Sequence, residues 1–189
     1  FHKQMLSMEF EQSGYDPCLY YKIYPDGTRL DVFVFVDDLW LEDDAGPNAD
    51  ADLKILCDRF TMTINEKPAH YLGMNVTIDI EGGSLELSSS AYILDMADRY
   101  LPGWRAMRTV KLPSTDQLRA EYEEANNLRD VSDTVLLKRY GGKVGALNYA
   151  SPGVRVDASQ TIGLLTRALT FPTPALEHRA DQLLLYLAQ

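Results

Sequence analysis

The stretch that most constrains the fold is residues 31–42, DVFVFVDDLWLE, where an apolar run breaks at two adjacent aspartates and then resumes. Val32, Val34 and Val36 alternate with Phe33 and Phe35, and β-branched and aromatic residues in such a run suit a pleated, half-buried strand. Leu39-Trp40-Leu41 can return antiparallel to it, which puts Asp37 and Asp38 at a hairpin turn. Two carboxylates side by side repel unless water or a cation separates their charge, and hard oxygen ligands suit magnesium. Taken alone, the pair also reads as a solvated acidic turn, because aspartate is a common turn residue.

The flanking chain supplies elements for that hairpin to join. Residues 1–18 read as the end of a helix and a loop, and residues 19–24 and 28–35 as strands joined by Pro25-Asp26-Gly27, a strong turn signal. Leu53, Leu56, Cys57 and Phe60 recur at helical spacing, with Asn48 or Asp50 near the cap, and that helix is expected to cross the sheet. Residues 71–80 and 85–87 form a second hairpin around Gly82-Gly83, and Ser89 or Ser90 caps a helix running to Tyr100 before Pro102-Gly103. Residues 111–132 turn polar and read as a long connection. Beyond it, residues 135–149, then Ile162, Leu165 and Leu169, then Leu176, Ala180, Leu183, Leu184 and Leu187 follow helical periodicity as core or partner-facing stripes. The expected fold is therefore α+β: residues 1–103 an antiparallel sheet with crossing helices, 104–133 a polar connection, and 134–189 a mainly helical part.

Composition narrows the classes. Hydrophobic residues at 46% and charged residues at 24% are ordinary globular values. No apolar run approaches the roughly 20 residues that span a bilayer. No signal-peptide pattern is visible, so an intracellular chain is expected, and the start at Phe1 reads as a piece of a longer product. Cys18 and Cys57 lack metal-ligand spacing and read as two buried thiols, while His2, His70 and His178 are too far apart in sequence to suggest a metal site. The net charge of −10 disfavours nucleic acid as a partner of the chain alone, most of all between Asp37 and Asp52, where seven acids stand without a base.

Phe35-Val36-Asp37-Asp38 resembles the aromatic-x-Asp-Asp box of reverse transcriptases, and its surroundings resemble those of copia-type LTR retrotransposons. Asp16-Pro17-Cys18-Leu19-Tyr20 precedes the box; Phe60-Thr61-Met62, Tyr71-Leu72-Gly73-Met74, Leu87-Ser88 and Tyr92-Ile93 follow. Further on come Tyr140, Val144-Gly145-Ala146-Leu147-Asn148-Tyr149, Arg155-Val156-Asp157, then Pro172, His178, Ala180 and Tyr186-Leu187. Each motif is short, but their ordered series covers nearly the whole chain.

The resemblance implies the later half of a reverse-transcriptase palm followed by a thumb and connection, with Asp37 as main magnesium ligand and Asp38 as a weaker one. It also implies a third carboxylate and template-binding fingers that residues 1–189 do not supply; Asp31, six strand residues from Asp37, is expected about 20 Å away. Three positions depart from the pattern: Phe35 replaces a tyrosine, Ser88-Ser89-Ser90 replaces a glutamine, and Val156 replaces a proline. The expectation is an RNA-directed DNA polymerase segment that is inactive alone. The alternative is a repurposed structural or interaction subunit, with protein partners on an open sheet edge and on the 176–187 leucine stripe.

Overall fold

The computed structural model describes residues 1–44, 46–130, 132–150 and 153–189. The chain divides into two compact units, Phe1–Glu66 and Lys67–Gln189.

The first unit places a helix α1 (His2–Ser7) ahead of a four-stranded antiparallel sheet, β1 (Glu11–Gln12), β2 (Leu19–Ile23), β3 (Arg29–Phe35) and β4 (Asp38–Asp43), in that spatial order. Period-two alternation sorts its faces. Tyr20, Leu30 and Val32 are buried, with Val34, Leu39 and Leu41 packed beside them. That face meets Met5 and Met8 from the first helix and its end, Phe10, and Ala49, Leu53 and Leu56 of a helix α2 (Pro47–Phe60). Burial of each such large aliphatic side chain contributes about 1.5–3 kcal/mol. Helix α2 has Gly46 as its N-cap and Pro47 at its first position, with Asn48 beside it and Asp50 in the first turn, near the cap as expected. Inside this core Asp52, 8% exposed, accepts hydrogen bonds from Lys22 and Tyr24, both at 2.8 Å, and Lys22 also donates to the Met8 carbonyl. Burial raises the Tyr24 pKa first, and the Asp52 carboxylate adds to the effect.

The second unit opens with three antiparallel strands, β5 (His70–Tyr71), β6 (Met74–Asp79) and β7 (Ser84–Ser88), and continues into α3 (Ser90–Tyr100). Four more helices complete it: α4 (Gln117–Leu128), α5 (Thr134–Ala150), α6 (Ser159–Arg167) and α7 (Pro174–Ala188). The single strand expected over 71–80 is broken at Leu72-Gly73, where both residues have left-handed φ values of 48° and 76°. The polar stretch 111–132, expected as a connection, contains α4: Leu118 and Ala125, seven residues apart, are both 1% exposed and give it a buried face. The boundary expected near residue 103 falls inside this unit, because β6 packs against α3 and α3 against α7.

The leucine stripe of α7 is core rather than open surface. Leu176, Ala180, Leu183 and Leu184 are fully buried among Tyr140, Val144, Leu147 and Leu165. The thiols also differ from expectation: Cys18 is exposed and Cys57 half-buried, both free. Among the described residues no helix is long and apolar enough to cross a membrane.

Candidate functional site

Strands β3 and β4 pair from Leu30↔Asp43 to Phe35↔Asp38, leaving Val36 and Asp37 as a two-residue turn. Asp37 therefore sits in the turn itself, and Asp38 at the first paired position, on the same sheet face as Phe35. Both carboxylates are exposed, which lets water absorb their mutual repulsion. Val36 is 82% exposed with φ of 54°, a left-handed conformation that a β-branched side chain rarely adopts. Two-residue hairpins require a positive φ here to match strand twist. Holding valine there costs about 1–3 kcal/mol, and such strain clusters at functional turns.

Asp31 pairs with Glu42, four positions along β3 from the Phe35↔Asp38 pair. Arg29 grips Asp31 through Nε at 2.8 Å and Nη2 at 2.6 Å and stacks on Tyr21. The chemistry available at the turn is thus two exposed hard-oxygen donors. Magnesium is commonly held by one or two carboxylates, with waters and substrate phosphates completing its octahedron, and Asp37 and Asp38 fit that partial role. Among the described residues no group of three or more His, Cys, Asp or Glu side chains is placed to hold a metal.

Each histidine has its own setting. His2 Nδ1 lies 2.9 Å from the Tyr20 hydroxyl, His70 Nδ1 lies 3.1 Å from Asn75 Oδ1, and His178 is exposed.

Motifs later in the chain come together as structural joints. Tyr149 of α5 donates from its hydroxyl to the Leu72 carbonyl at 3.3 Å, and a Cβ on Gly73 would lie 2.9 Å from that oxygen. Tyr92 packs on the Tyr149 ring at 5.2 Å and donates to the Ala146 carbonyl. The Tyr71-Leu72-Gly73 and Val144–Tyr149 segments and Tyr92 are therefore one contact. Likewise Arg155 chelates Asp157 through Nε at 3.1 Å and Nη2 at 2.9 Å, stacks on Tyr186 and donates to the Leu187 carbonyl, while the Tyr186 hydroxyl donates to Asp157 at 2.8 Å. The Arg155 guanidinium, helped by Tyr186, holds the Asp157 pKa down at about 2 against the opposing effect of burial. The sequence signal was the order of the motifs; their meeting needed the fold.

Fold and turn together define an α+β chain of two units, the first presenting a strained two-carboxylate hairpin. No protein-family model matches it, and no solved structure matches it. The chain is similar to the retrovirus-related Pol polyprotein from transposon TNT 1-94 of Nicotiana tabacum, at 23% identity over 175 residues, which is 91% of this chain and 13% of that polyprotein. The similarity supports a retrotransposon Pol origin, in line with the copia-type expectation.

Proposed function

We propose that the chain is a segment of the RNA-directed DNA polymerase of a copia-type retrotransposon, carrying the palm hairpin that presents Asp37 and Asp38. The observation that carries this reading is the strained turn, which sets Phe35-Val36-Asp37-Asp38 at the tip of an antiparallel sheet. Asp37 and Asp38 would hold magnesium, which when bound supplies alignment of a primer hydroxyl with a nucleotide phosphate and stabilises the leaving oxygen. Among the described residues no third carboxylate joins the pair, so the chain alone is expected to bind the ion weakly and to synthesise no DNA. The role of this chain's own backbone is to set two adjacent carboxylates at the tip of the hairpin.

The test is a chimaera. Residues 29–43 replace the corresponding hairpin of an active copia-type reverse transcriptase, and primer extension is measured in magnesium beside the same chimaera carrying Asp37→Ala. Synthesis above that control supports the reading. A chimaera that is folded by circular dichroism yet matches the Asp37→Ala control overturns it.

A further inference from the structure

The second unit holds a cavity of about 390 Å³, the size of a small-molecule site. It lies between the segment 110–116, the start of α4, and residues of α6 and α7. Val110, Leu112, Pro113 and the fully buried Leu118 give it an apolar wall. Thr161 of α6 marks it as more than a packing gap. That residue is 3% exposed, yet its hydroxyl has no hydrogen-bond partner among the described residues. Among them no side-chain nitrogen or oxygen that is sealed from solvent lacks a partner, so this hydroxyl opens onto the cavity that the residue lines. Whatever fills the cavity has to satisfy it.

The other free groups around the cavity are mostly donors. Arg179 of α7 donates to Glu121 twice, to Gln117 and to the Gln182 side-chain carbonyl, which leaves one guanidinium N–H over. Because Gln182 accepts through its oxygen, its amide N–H groups stay open. Lys111 is exposed and has no ion-pair partner among the described residues. The first turn of α4, bordered by Asp116 and Leu118, has no side-chain cap, so its positive end is unscreened by a capping oxygen. Against these donors stands a single carboxylate among the lining residues, that of Asp116, which is exposed. The wider field does not oppose an anion here: residues 67–189 hold 13 Lys and Arg against 14 Asp and Glu, close to neutral.

We propose that this cavity binds a small organic acid, its carboxylate accepting from the Thr161 hydroxyl and drawn by Lys111 and the first turn of α4, its apolar body against Val110, Leu112, Pro113 and Leu118. A bare inorganic anion would leave the apolar wall to water, and a plain hydrocarbon would leave the Thr161 hydroxyl and the Gln182 amide unpaired. The site is independent of the polymerase reading, and its test stands whether or not the chimaera synthesises DNA.

The test is calorimetric titration of the full 189-residue chain with 4-phenylbutyrate, with amide spectra mapping the contact. Sub-millimolar binding is expected, with shifts at the amides of segment 110–118, Thr161 and Gln182. Thr161→Val keeps the shape and removes the hydroxyl, and is expected to weaken binding about tenfold, whereas Thr161→Ser, which keeps the donor, stays within about twofold. The hydroxyl bonds nothing in the protein, so Thr161→Val is expected to leave the urea midpoint unchanged, which separates loss of the ligand from loss of the fold. Lys111→Gln is expected to weaken binding about threefold and to flatten its salt dependence, and Asp116→Asn to strengthen it about twofold. Equal affinity for the neutral 4-phenylbutanamide would overturn the proposal, because charge would then play no part. Tighter binding of phenyl phosphate at the same amides would overturn it in favour of a phosphate ester. Unchanged affinity in Thr161→Val, or no binding of 4-phenylbutyrate at millimolar concentration, would overturn it outright.

Discussion

Lys143 offers the sharpest test of what holds the second unit together. Its side chain is 4% exposed on α5, and its ammonium donates to Asp181 and, at 3.4 Å, to Glu177, both on α7. Arg139, one turn earlier on α5, also grips Glu177. Lys143→Met keeps the stem's volume and removes the charge, so its effect is electrostatic. Stranding a partner of a buried ion pair costs about 3–5 kcal/mol. Here Glu177 keeps Arg139, and Asp181 is 28% exposed and can recover water, so the expected loss is about 2.5 kcal/mol. That corresponds to roughly 10 °C in the midpoint of a unit of this size. Urea unfolding followed by Trp104 fluorescence in a Trp40→Phe background reads this unit alone, since Trp104 lies 7% exposed in its core. A triple variant, Lys143→Met/Glu177→Met/Asp181→Leu, is expected to regain most of the loss, because apolar groups of similar size replace buried ion pairs at little cost. A single variant within about 0.5 kcal/mol of the parent would refute the reasoning, because surface-like pairs contribute only that much. The pH dependence carries a sign. The Arg139 hydrogen bond, ahead of the opposing effect of burial, holds the Glu177 pKa below its ordinary value. Its contribution is therefore full above the ordinary glutamate pKa and lost as pH falls through the depressed one, a slope that Glu177→Gln should remove.

Gly73→Ala is expected to destabilise the second unit by about 2 kcal/mol, since φ is 76° and the new Cβ would stand 2.9 Å from the Tyr149 hydroxyl; Tyr149→Phe should recover part of that loss in the same urea assay. Val36→Asn is expected to stabilise the first unit by about 1 kcal/mol, read by Trp40 fluorescence in a Trp104→Phe background, because asparagine tolerates the left-handed φ that strains valine. Asp157, with a pKa of about 2 and a side chain 39% exposed, should contribute about 1 kcal/mol after solvent screening. That contribution should be present above the ordinary aspartate pKa and fade as pH drops towards 2, and Asp157→Asn should remove it at neutral pH.

Much of the architecture was legible because local pattern and tertiary need agree. Alternation across residues 28–35, the Pro25-Asp26-Gly27 turn and the leucine stripe of α7 each state a period that packing then uses. The polar run 111–132 hid α4 because its inward face is only Leu118, Ala125 and the half-buried Tyr122, a short stripe among charged neighbours. Pro47 rather than an asparagine or aspartate opens α2, a choice that capping preferences alone do not decide. Cys18 was read as buried on residue type, yet it lies in the loop between β1 and β2 and faces solvent. At the candidate site, the hairpin and its two carboxylates followed from the sequence, whereas the strain at Val36 did not, because a valine within an apolar run gives no sign of a left-handed φ.

The spread of the later motifs acquires a physical meaning from where they land. Gly73 with Tyr149 fixes the break between β5 and β6 against α5, and Arg155, Asp157 and Tyr186 lock the entry of α6 to the end of α7. Each joint needs a specific pair, a glycine under a hydroxyl or a guanidinium between a carboxylate and an aromatic ring, so loss of either partner is costly wherever the fold is kept. The proposed chemistry has a separate and smaller footprint, Asp37 and Asp38 on a turn held in a strained conformation by the strands behind it. The tight turn follows from the twist of a two-residue hairpin, and under the proposed reading it is also what presents both carboxylates. The polymerase reading therefore stands or falls on that turn, and the joints decide only whether the chain around it folds.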